Sequence, residues 1–246
     1  MTRFGTVLFD CDSTLSTIEG IDELAREYRD QIVPLTELAM RGEVTLESVY
    51  GRRLAIIRPS REDVERVGRM YVETLVSGAR EVVRALHDAG VAVHVISGGL
   101  RPAVLHAARA LGIPDGRVHA VDVYFDDAGR YAGFDEASPL ARQGGKAELV
   151  ESLGDLPRPS MLVGDGATDL EAKPRVDRFV AFAGVEARPH VVAAADAVVR
   201  APSLLPVLAL ALGEADHYPV ATRDLIVAGR VLLGEPPSLP RDSATP

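Results

Sequence analysis

The segment at residues 5–9 places the strongest constraint on the fold. It reads Gly-Thr-Val-Leu-Phe, a short run of apolar, β-forming residues, and it ends abruptly at Asp10 and Asp12. Such a run without polar alternation is typical of a strand buried on both faces of a parallel sheet. Acidic residues directly behind this strand lie at the sheet edge where open α/β proteins bind ligands. The segment therefore predicts an α/β fold with a site at the end of its first strand.

The alternation of strands and helices continues along the chain. Apolar spacing predicts helices over residues 78–89 and from the end of a loop at 97–99 to residue 111, with Pro102 in the first turn. Further strands are predicted at residues 91–96, 160–163, 178–182 and 197–199. Strands that alternate with helices form a mostly parallel sheet with flanking helices.

Two segments interrupt this alternation. Residues 16–77 contain no convincing strand but show helical spacing of apolar residues, which predicts an all-helical insert. Residues 121–134 alternate around an Asp-Asp-Ala-Gly turn, which is typical of a β-hairpin. Near the C-terminus we expect one helix over residues 221–233 and a mobile proline-rich end at 235–240.

Composition and charge exclude several classes of function. The 246 residues are 47% apolar, which is enough to close a globular core. Lysine and arginine total 27 against 36 acidic residues, so a net charge of −9 makes nucleic acid and anionic membranes unfavourable partners. No apolar run approaches the roughly 18 residues that span a bilayer, and no signal peptide precedes the first strand, so we expect a cytoplasmic location. The single cysteine, Cys11, excludes an internal disulfide and a multi-thiolate zinc site.

Four aspartates follow two of the predicted strands. Asp10 and Asp12 follow the first, and Asp165 and Asp169 follow the strand at 160–163. Because parallel strands end at the same sheet edge, these carboxylates form an acidic cluster, and hard oxygen ligands suit Mg²⁺. Each aspartate taken alone is also a common turn or helix cap.

Two further loops indicate an anion site. Ser97, Gly98 and Gly99 lie between a strand and a helix, where a hydroxyl and unhindered backbone N–H groups are able to hold a phosphate. Lys146 follows two glycines at another helix start, which already carries partial positive charge, so a bound anion would explain it. An ordinary serine-capped turn and a solvated surface lysine are the alternatives. Together, the four strand-end loops present the residue types of metal-assisted phosphoryl transfer.

These four loops, in this order, resemble the motifs of the haloacid dehalogenase-like phosphatases. Within them the chain is most similar to the phosphoserine phosphatases of animals, on the segments 19–25, 53–62 and 131–136. The resemblance covers about residues 4–212 and implies a Rossmann-like core (1–15 and 78–212) with a helical cap (16–77). The extension at 213–246 has no counterpart in the resemblance, so a dimer contact, a lid and a passive tail all stay open for it.

The resemblance also implies a mechanism. Asp10 attacks phosphorus to form an aspartyl-phosphate, and Asp12 protonates the leaving oxygen and then deprotonates the attacking water. The carboxylates of Asp10 and Asp165, with the backbone carbonyl of Asp12, hold Mg²⁺, and Asp169 orients the metal's water shell. The residues implied to hold the phosphoryl oxygens are Ser97, Gly98, Gly99 and Lys146.

The same resemblance assigns substrate recognition mainly to the cap. Glu19 pairs with the ammonium of phosphoserine and Arg53 with its carboxylate, while Met40 and Gly42 line the pocket and Thr168 contacts the substrate from the core. Without the resemblance, Glu19 and Arg53 are equally typical of solvated helix surfaces, and a methionine at helical spacing is more often part of a core.

The predicted function is therefore Mg²⁺-dependent hydrolysis of phosphoserine to serine and phosphate by a monomer or homodimer. The first alternative keeps the chemistry but takes another small phosphorylated metabolite, or another hydroxyl as acceptor. A second is a non-catalytic phosphometabolite-binding protein of the same fold, although the intact pair Asp10 and Asp12 argues against it. A dinucleotide-dependent oxidoreductase is set aside, because no Gly-x-Gly-x-x-Gly opens the first helix.

Overall fold

The computed structural model describes residues 3–40 and 46–234. Its strands are β1 (Thr6–Phe9), β2 (Ala92–Leu100), β3 (Val118–Val121), β4 (Val123–Phe125), β5 (Tyr131–Phe134), β6 (Ser160–Gly164), β7 (Arg178–Phe182) and β8 (Ala197–Val199). Six of them form a parallel sheet in the order β3-β2-β1-β6-β7-β8, and β4 pairs with β5 in an antiparallel hairpin. The predicted parallel sheet and the predicted hairpin are confirmed.

Helices flank the sheet and fill the insert. They are α1 (Gly20–Leu24), α2 (Arg29–Met40), α3 (Leu46–Ile57), α4 (Arg61–Glu73), α5 (Ala79–Asp88), α6 (Arg101–Ala110), α7 (Gly145–Ser152), α8 (Ala167–Glu171), α9 (Pro189–Ala194), α10 (Leu205–Leu212) and α11 (Val220–Leu232). Pro102 lies in the first turn of α6, as predicted, where its missing N–H costs no helical hydrogen bond.

The middle strands explain why the sheet forms. Every residue of β1 and β6 is buried, so both faces of these strands contact helices. Val7 and Phe9 belong to a core that includes residues of α5, α6 and α10, whereas Leu8 belongs to a core with residues of α7 and α9. Since each fully buried side chain of this size contributes about 1.5–3 kcal/mol, the two cores fix the strand at the sheet centre.

The insert at residues 16–77 is connected to the sheet by two chain segments that lie side by side. Ser16 and Leu75 form an antiparallel bridge, and the hydroxyls of Ser16 and Thr74 are 2.7 Å apart. The described part of the insert contains α1–α4 and no strand beyond this bridge, so the prediction of a helical insert is confirmed. Helix α4 packs along α6 and places the insert over the carboxyl edge of the sheet. The domain boundaries themselves stay a prediction.

One local prediction was wrong. Residues 97–99 do not form a loop, because β2 continues through them to Leu100, where it pairs with Val121 of β3. The pairing register shifts between Ile96 and Leu100, so these residues make an irregular strand end directly before α6. The strand β3 was not predicted, since it begins before the hairpin pattern at residue 121.

The C-terminal helix α11 matches the helix predicted over residues 221–233. It packs against α10 and α5, and Ile226 is fully buried there. None of its residues lines the cavity described below. The proline-rich end predicted to be mobile lies outside the described residues. Among the described helices, none has the length and apolar character needed to cross a membrane.

Candidate active site

The candidate site lies at the carboxyl edge of β1. This strand pairs with β2 on one side and with β6 on the other. The connection that follows β1 leads to one side of the sheet, and the connection that follows β6 leads to the other side. Open α/β sheets form their ligand crevices at such a point, where the strand order reverses. A cavity of about 360 Å³ opens there between the sheet and the insert. The predicted site residues that line it are Asp10, Asp12, Glu19, Arg53, Gly98, Gly99, Lys146, Asp165 and Thr168.

Three carboxylates converge at the base of this cavity. Asp10, Asp165 and Asp169 are buried and each places one carboxylate oxygen within 4.8 Å of the others. Burial raises the pKa of Asp10, and burial together with the charge of Asp10 raises that of Asp169 to about 7. Ionisation of all three carboxylates is therefore unfavourable unless a cation at the site offsets their charge.

Lys146 supplies one such cation from the start of α7. Its Nζ lies 2.9 Å from Asp10 Oδ2 and 2.7 Å from Asp169 Oδ1, and only 5% of the residue is exposed. Although burial alone lowers the pKa of Lys146, the charges of Asp10 and Asp169 raise it above its ordinary value. Gly164 permits this packing, because a Cβ there would lie 2.2 Å from Asp169 Cγ.

The side chain of Asp12 points away from this cluster, toward the insert. Its Oδ1 accepts hydrogen bonds from the Tyr71 hydroxyl (2.5 Å) and the Gly20 N–H (2.7 Å), and its Oδ2 lies 3.3 Å from Ser97 Oγ. Burial and the like charge of Glu19 raise the pKa of Asp12 to about 6. A carboxyl group with this pKa is suited to giving and taking a proton near neutral pH.

The end of β2 forms the opposite wall of the cavity. Ser97 is fully buried, and its Oγ accepts a hydrogen bond from the Gly99 N–H at 2.9 Å. The carbonyl of Gly98 accepts a hydrogen bond from the Tyr50 hydroxyl of α3 at 2.9 Å. The predicted phosphate-binding residues therefore lie together, and Tyr50 connects them to the insert.

The two residues predicted to recognise the substrate both reach the cavity. Glu19 accepts a hydrogen bond from Ser13 Oγ at 2.8 Å, and Ser13 has a left-handed backbone with φ of 51° in the turn after Asp12. Arg53 of α3 forms a close ion pair with Asp22 of α1, while its buried Nε has no hydrogen-bond partner among the described residues. Arg53 therefore lines the cavity with a guanidinium whose buried Nε has no acceptor in the described part of the chain.

The remaining five predicted residues differ in their position relative to the cavity. Thr168 lines the cavity from the first turn of α8. Met40 is the last residue of α2, and its side chain lies outside what the structure describes, as does the whole of Gly42. Ser97 and Asp169 lie behind the cavity wall, in contact with Asp12 and Lys146 respectively.

Among the residues that sequence reasoning missed at the site are Arg188, Tyr71 and Tyr50. Arg188 lies at the start of α9, its guanidinium contacts Asp165 and it is 3.5 Å from Glu19, so it offsets part of the acidic charge. Arg188 could have been predicted, because the loop after β7 starts at the same carboxyl edge of the sheet as the aspartates, and a cation there would be close to them. Tyr71, in the middle of α4, gave no such signal, because a tyrosine on a helix face is ordinarily part of a core.

The comparison with known proteins agrees with this geometry. The sequence model of the haloacid dehalogenase-like hydrolases matches residues 4–176. The chain belongs to this family. The family prediction made from the four motifs is confirmed, and the protein is a hydrolase of the phosphatase type, with a buried aspartate cluster suited to a divalent metal.

Relatives within the family carry a more specific description. The phosphoserine phosphatase of Bos taurus is 43% identical over 182 residues, which cover 72% of this chain and 81% of the relative. A substrate-bound phosphoserine phosphatase complex superposes with a TM-score of 0.68 at 28% identity, over 85% of this chain and 98% of the other. A phospho-aspartyl intermediate analogue of phosphoserine phosphatase gives a TM-score of 0.67 at 27% identity, over 84% and 98%. The predicted Rossmann-like fold class is confirmed by these neighbours.

Proposed function

We propose that this chain hydrolyses O-phospho-L-serine to L-serine and phosphate, with Mg²⁺ as its metal. The observation that carries the proposal is the convergence of three buried carboxylates and Lys146 beneath a cavity that also exposes Asp12, Glu19 and Arg53. Its relatives of known activity are named phosphoserine phosphatases, which supports the substrate.

The acidic cluster fits a hard divalent cation. Its donors are carboxylate oxygens from different loops, and they are shielded from water, with Asp165 only 3% exposed. Asp10 and Asp165, with the backbone carbonyl of Asp12, would hold Mg²⁺, and Asp169 would orient its waters. The bound metal would offset negative charge on the phosphoryl oxygens.

Asp10 is the nucleophile of the proposed reaction. One of its carboxylate oxygens forms a bond to phosphorus while the bond from phosphorus to the serine oxygen breaks, and Asp12 donates its proton to that oxygen. Water then attacks the phosphorus of the aspartyl-phosphate and gives a proton to Asp12, while the bond between the Asp10 oxygen and phosphorus breaks. Phosphate leaves, and both carboxyl groups return to their starting state. The hydrogen bond from the Cys11 N–H to Asp10 Oδ1, at 2.7 Å, supports a fixed orientation of the nucleophile.

Positive and N–H groups on both sides of Asp10 would hold the transferred phosphoryl group. Lys146 contacts Asp10 directly, and the N–H groups of Gly98 and Gly99 lie at the facing strand end with the Ser97 hydroxyl. In a site shielded from water, removing one such donor from a transition state costs about 3–4 kcal/mol.

Glu19 and Arg53 would recognise the amino-acid part of the substrate. Both line the cavity, Glu19 directly before α1 and Arg53 on α3. A carboxylate of the substrate would take the place of Asp22 on Arg53, since a guanidinium binds carboxylates in a two-pronged manner.

The central test is release of phosphate by the purified protein. We expect turnover of phosphoserine with Mg²⁺, none with excess chelator, and none with Asp10→Asn. Absence of turnover of phosphoserine and of a panel of sugar phosphates under these conditions would refute the proposal, and turnover of the panel without phosphoserine would favour the alternative substrates.

Two matched analogues separate the roles of the recognition residues. Arg53→Ala should raise KM strongly for phosphoserine but little for O-phosphoethanolamine, which has the ammonium and no carboxylate. Glu19→Gln should impair phosphoserine but spare phosphoglycolate, which has the carboxylate and no ammonium. Equal effects of either variant on both of its substrates would contradict the assigned contact.

Two further expectations stay predictions. A monomer or homodimer would be distinguished by analytical ultracentrifugation, and a cytoplasmic location by imaging of the tagged protein.

A further inference from the structure

Tyr71 connects the helical insert to the acid–base residue of the proposed reaction. It lies in the middle of α4 and is fully buried, and its hydroxyl donates a hydrogen bond of 2.5 Å to Asp12 Oδ1. A buried phenol needs a hydrogen-bond partner, and here that partner is the carboxylate that the proposed reaction uses as acid and base, at the short distance of a charge-assisted bond.

The neighbourhood of this hydroxyl is built closely around it. Gly20, the first residue of α1, donates its N–H to the same Asp12 oxygen at 2.7 Å. A Cβ at Gly20 would lie 2.1 Å from the Tyr71 hydroxyl oxygen, so only glycine leaves room for it. Two elements of the insert therefore approach one oxygen of one carboxylate.

The other oxygen of Asp12 is held differently. Oδ2 has the single long contact to Ser97 Oγ at 3.3 Å, and Asp12 lines the cavity. Since Oδ1 already accepts two short hydrogen bonds, its lone pairs are occupied, and Oδ2 is the oxygen that is free to exchange a proton with a ligand.

We propose that Tyr71 is a positioning residue, which fixes the Asp12 carboxylate so that Oδ2 carries the proton to the leaving oxygen. This inference rests on the proposed function, in which Asp12 is the acid and base. Catalysis then also depends on the position of α4 relative to the sheet, because α4 supplies the hydroxyl that orients Asp12.

The dependence on the leaving group tests this role. Serine leaves only when its oxygen receives a proton, whereas the acetate of acetyl phosphate leaves without one. In single-turnover rapid-quench measurements we expect Tyr71→Phe to slow phosphoenzyme formation from phosphoserine about 10- to 100-fold. The rate from acetyl phosphate should change less than about twofold, with the substrate concentration for half-maximal rate unchanged for both.

Two companion variants separate positioning from general damage. Tyr50→Phe removes another hydroxyl of the insert, one that donates to the Gly98 carbonyl and not to Asp12, so any loss should be the same for both substrates. Gly20→Ala keeps the phenol but displaces it, and should show the same dependence on the leaving group as Tyr71→Phe. If Tyr71→Phe does not unfold cooperatively, and so is not correctly folded, Gly20→Ala is the variant that tests the inference.

The outcomes are distinct. A loss confined to phosphoserine supports the inference. An equal loss with both substrates, or no loss with either, overturns it. If the wild-type protein forms phosphoenzyme from neither substrate, the proposed function fails first, and this inference fails with it.

Discussion

A pair of histidines at the edge of the sheet makes the stability of this protein depend on pH. His94 of β2 and His119 of β3 place Nδ1 and Nε2 3.3 Å apart, with their ring planes inclined by only 8°. Burial, then the charges of His119 and Arg117, lowers the pKa of His94 from 6.5 to about 4. Burial and the charge of Arg101 also lower the pKa of His119. Both rings are therefore held neutral in the folded protein.

The sign and size of the effect follow from this pKa. Because the unfolded chain binds the proton more readily, the stability contributed by neutral His94 is complete above its unfolded pKa of 6.5 and is lost as the pH falls toward about 4. The whole change corresponds to at most about 3 kcal/mol. About 2 kcal/mol of it falls between about pH 7.5 and about pH 5, and because the ring is half-exposed we discount this to about 1 kcal/mol.

Urea unfolding at these two pH values measures the effect. Between them, the wild-type free energy of unfolding should fall by about 1 kcal/mol more than that of His94→Gln, or by about 2–4 °C in melting temperature. His217→Gln, at an exposed position, is the control and should keep the wild-type dependence on pH. An identical dependence for the wild type and His94→Gln would show that the pair is not held neutral.

Three further predictions concern the acidic cluster. Gly164→Ala places a Cβ against Asp169, so phosphate release should fall at least about tenfold and the free energy of unfolding by about 1–3 kcal/mol; unchanged kinetics would contradict the close contact. Lys146→Ala leaves Asp10 and Asp169 without their buried cation and should destabilise the metal-free protein by about 3–5 kcal/mol in urea, whereas a change below about 1 kcal/mol would refute this pairing. Mg²⁺ at about 100 times its Kd should stabilise the wild type by about 3 kcal/mol in thermal melts, and a shift of equal size in Asp165→Asn would contradict the ligand assignment.

Much of the site could be predicted because of one geometric rule. Parallel strands end at the same edge of a sheet, so the sequence alone predicts that Asp10, after β1, and Asp165, after β6, lie close together. Lys146 is predicted on a similar ground, since a cation at the start of a helix is favourable only with an anion nearby. The structure places these residues in one cluster.

Other features depend on contacts between segments that are distant in the chain. The partner of Asp12 is Tyr71, 59 residues away on α4, and Arg188 reaches Glu19 from 169 residues away. No spacing rule within one element joins such pairs. The extension of β2 through residues 97–100 has the same origin, because its pairing partner is β3, and the local Ser-Gly-Gly sequence is equally compatible with a loop.

The sequence alone predicts most of the strands of the sheet, their parallel arrangement, the helical insert and the residue types that collect at the carboxyl ends of the strands. It does not predict β3 or the extension of β2. The periodicity of apolar residues, the turn residues and the apolar runs involve only a few neighbouring residues. The secondary structure that they favour can therefore be predicted from the sequence. The tertiary structure decided which oxygen of Asp12 stays free, which cation neutralises each carboxylate, and how the insert closes over the cavity. These features depend on the packing of α4 against α6 and of β2 against β3. In these contacts, side chains from segments that are distant in the chain pack closely together in the protein interior.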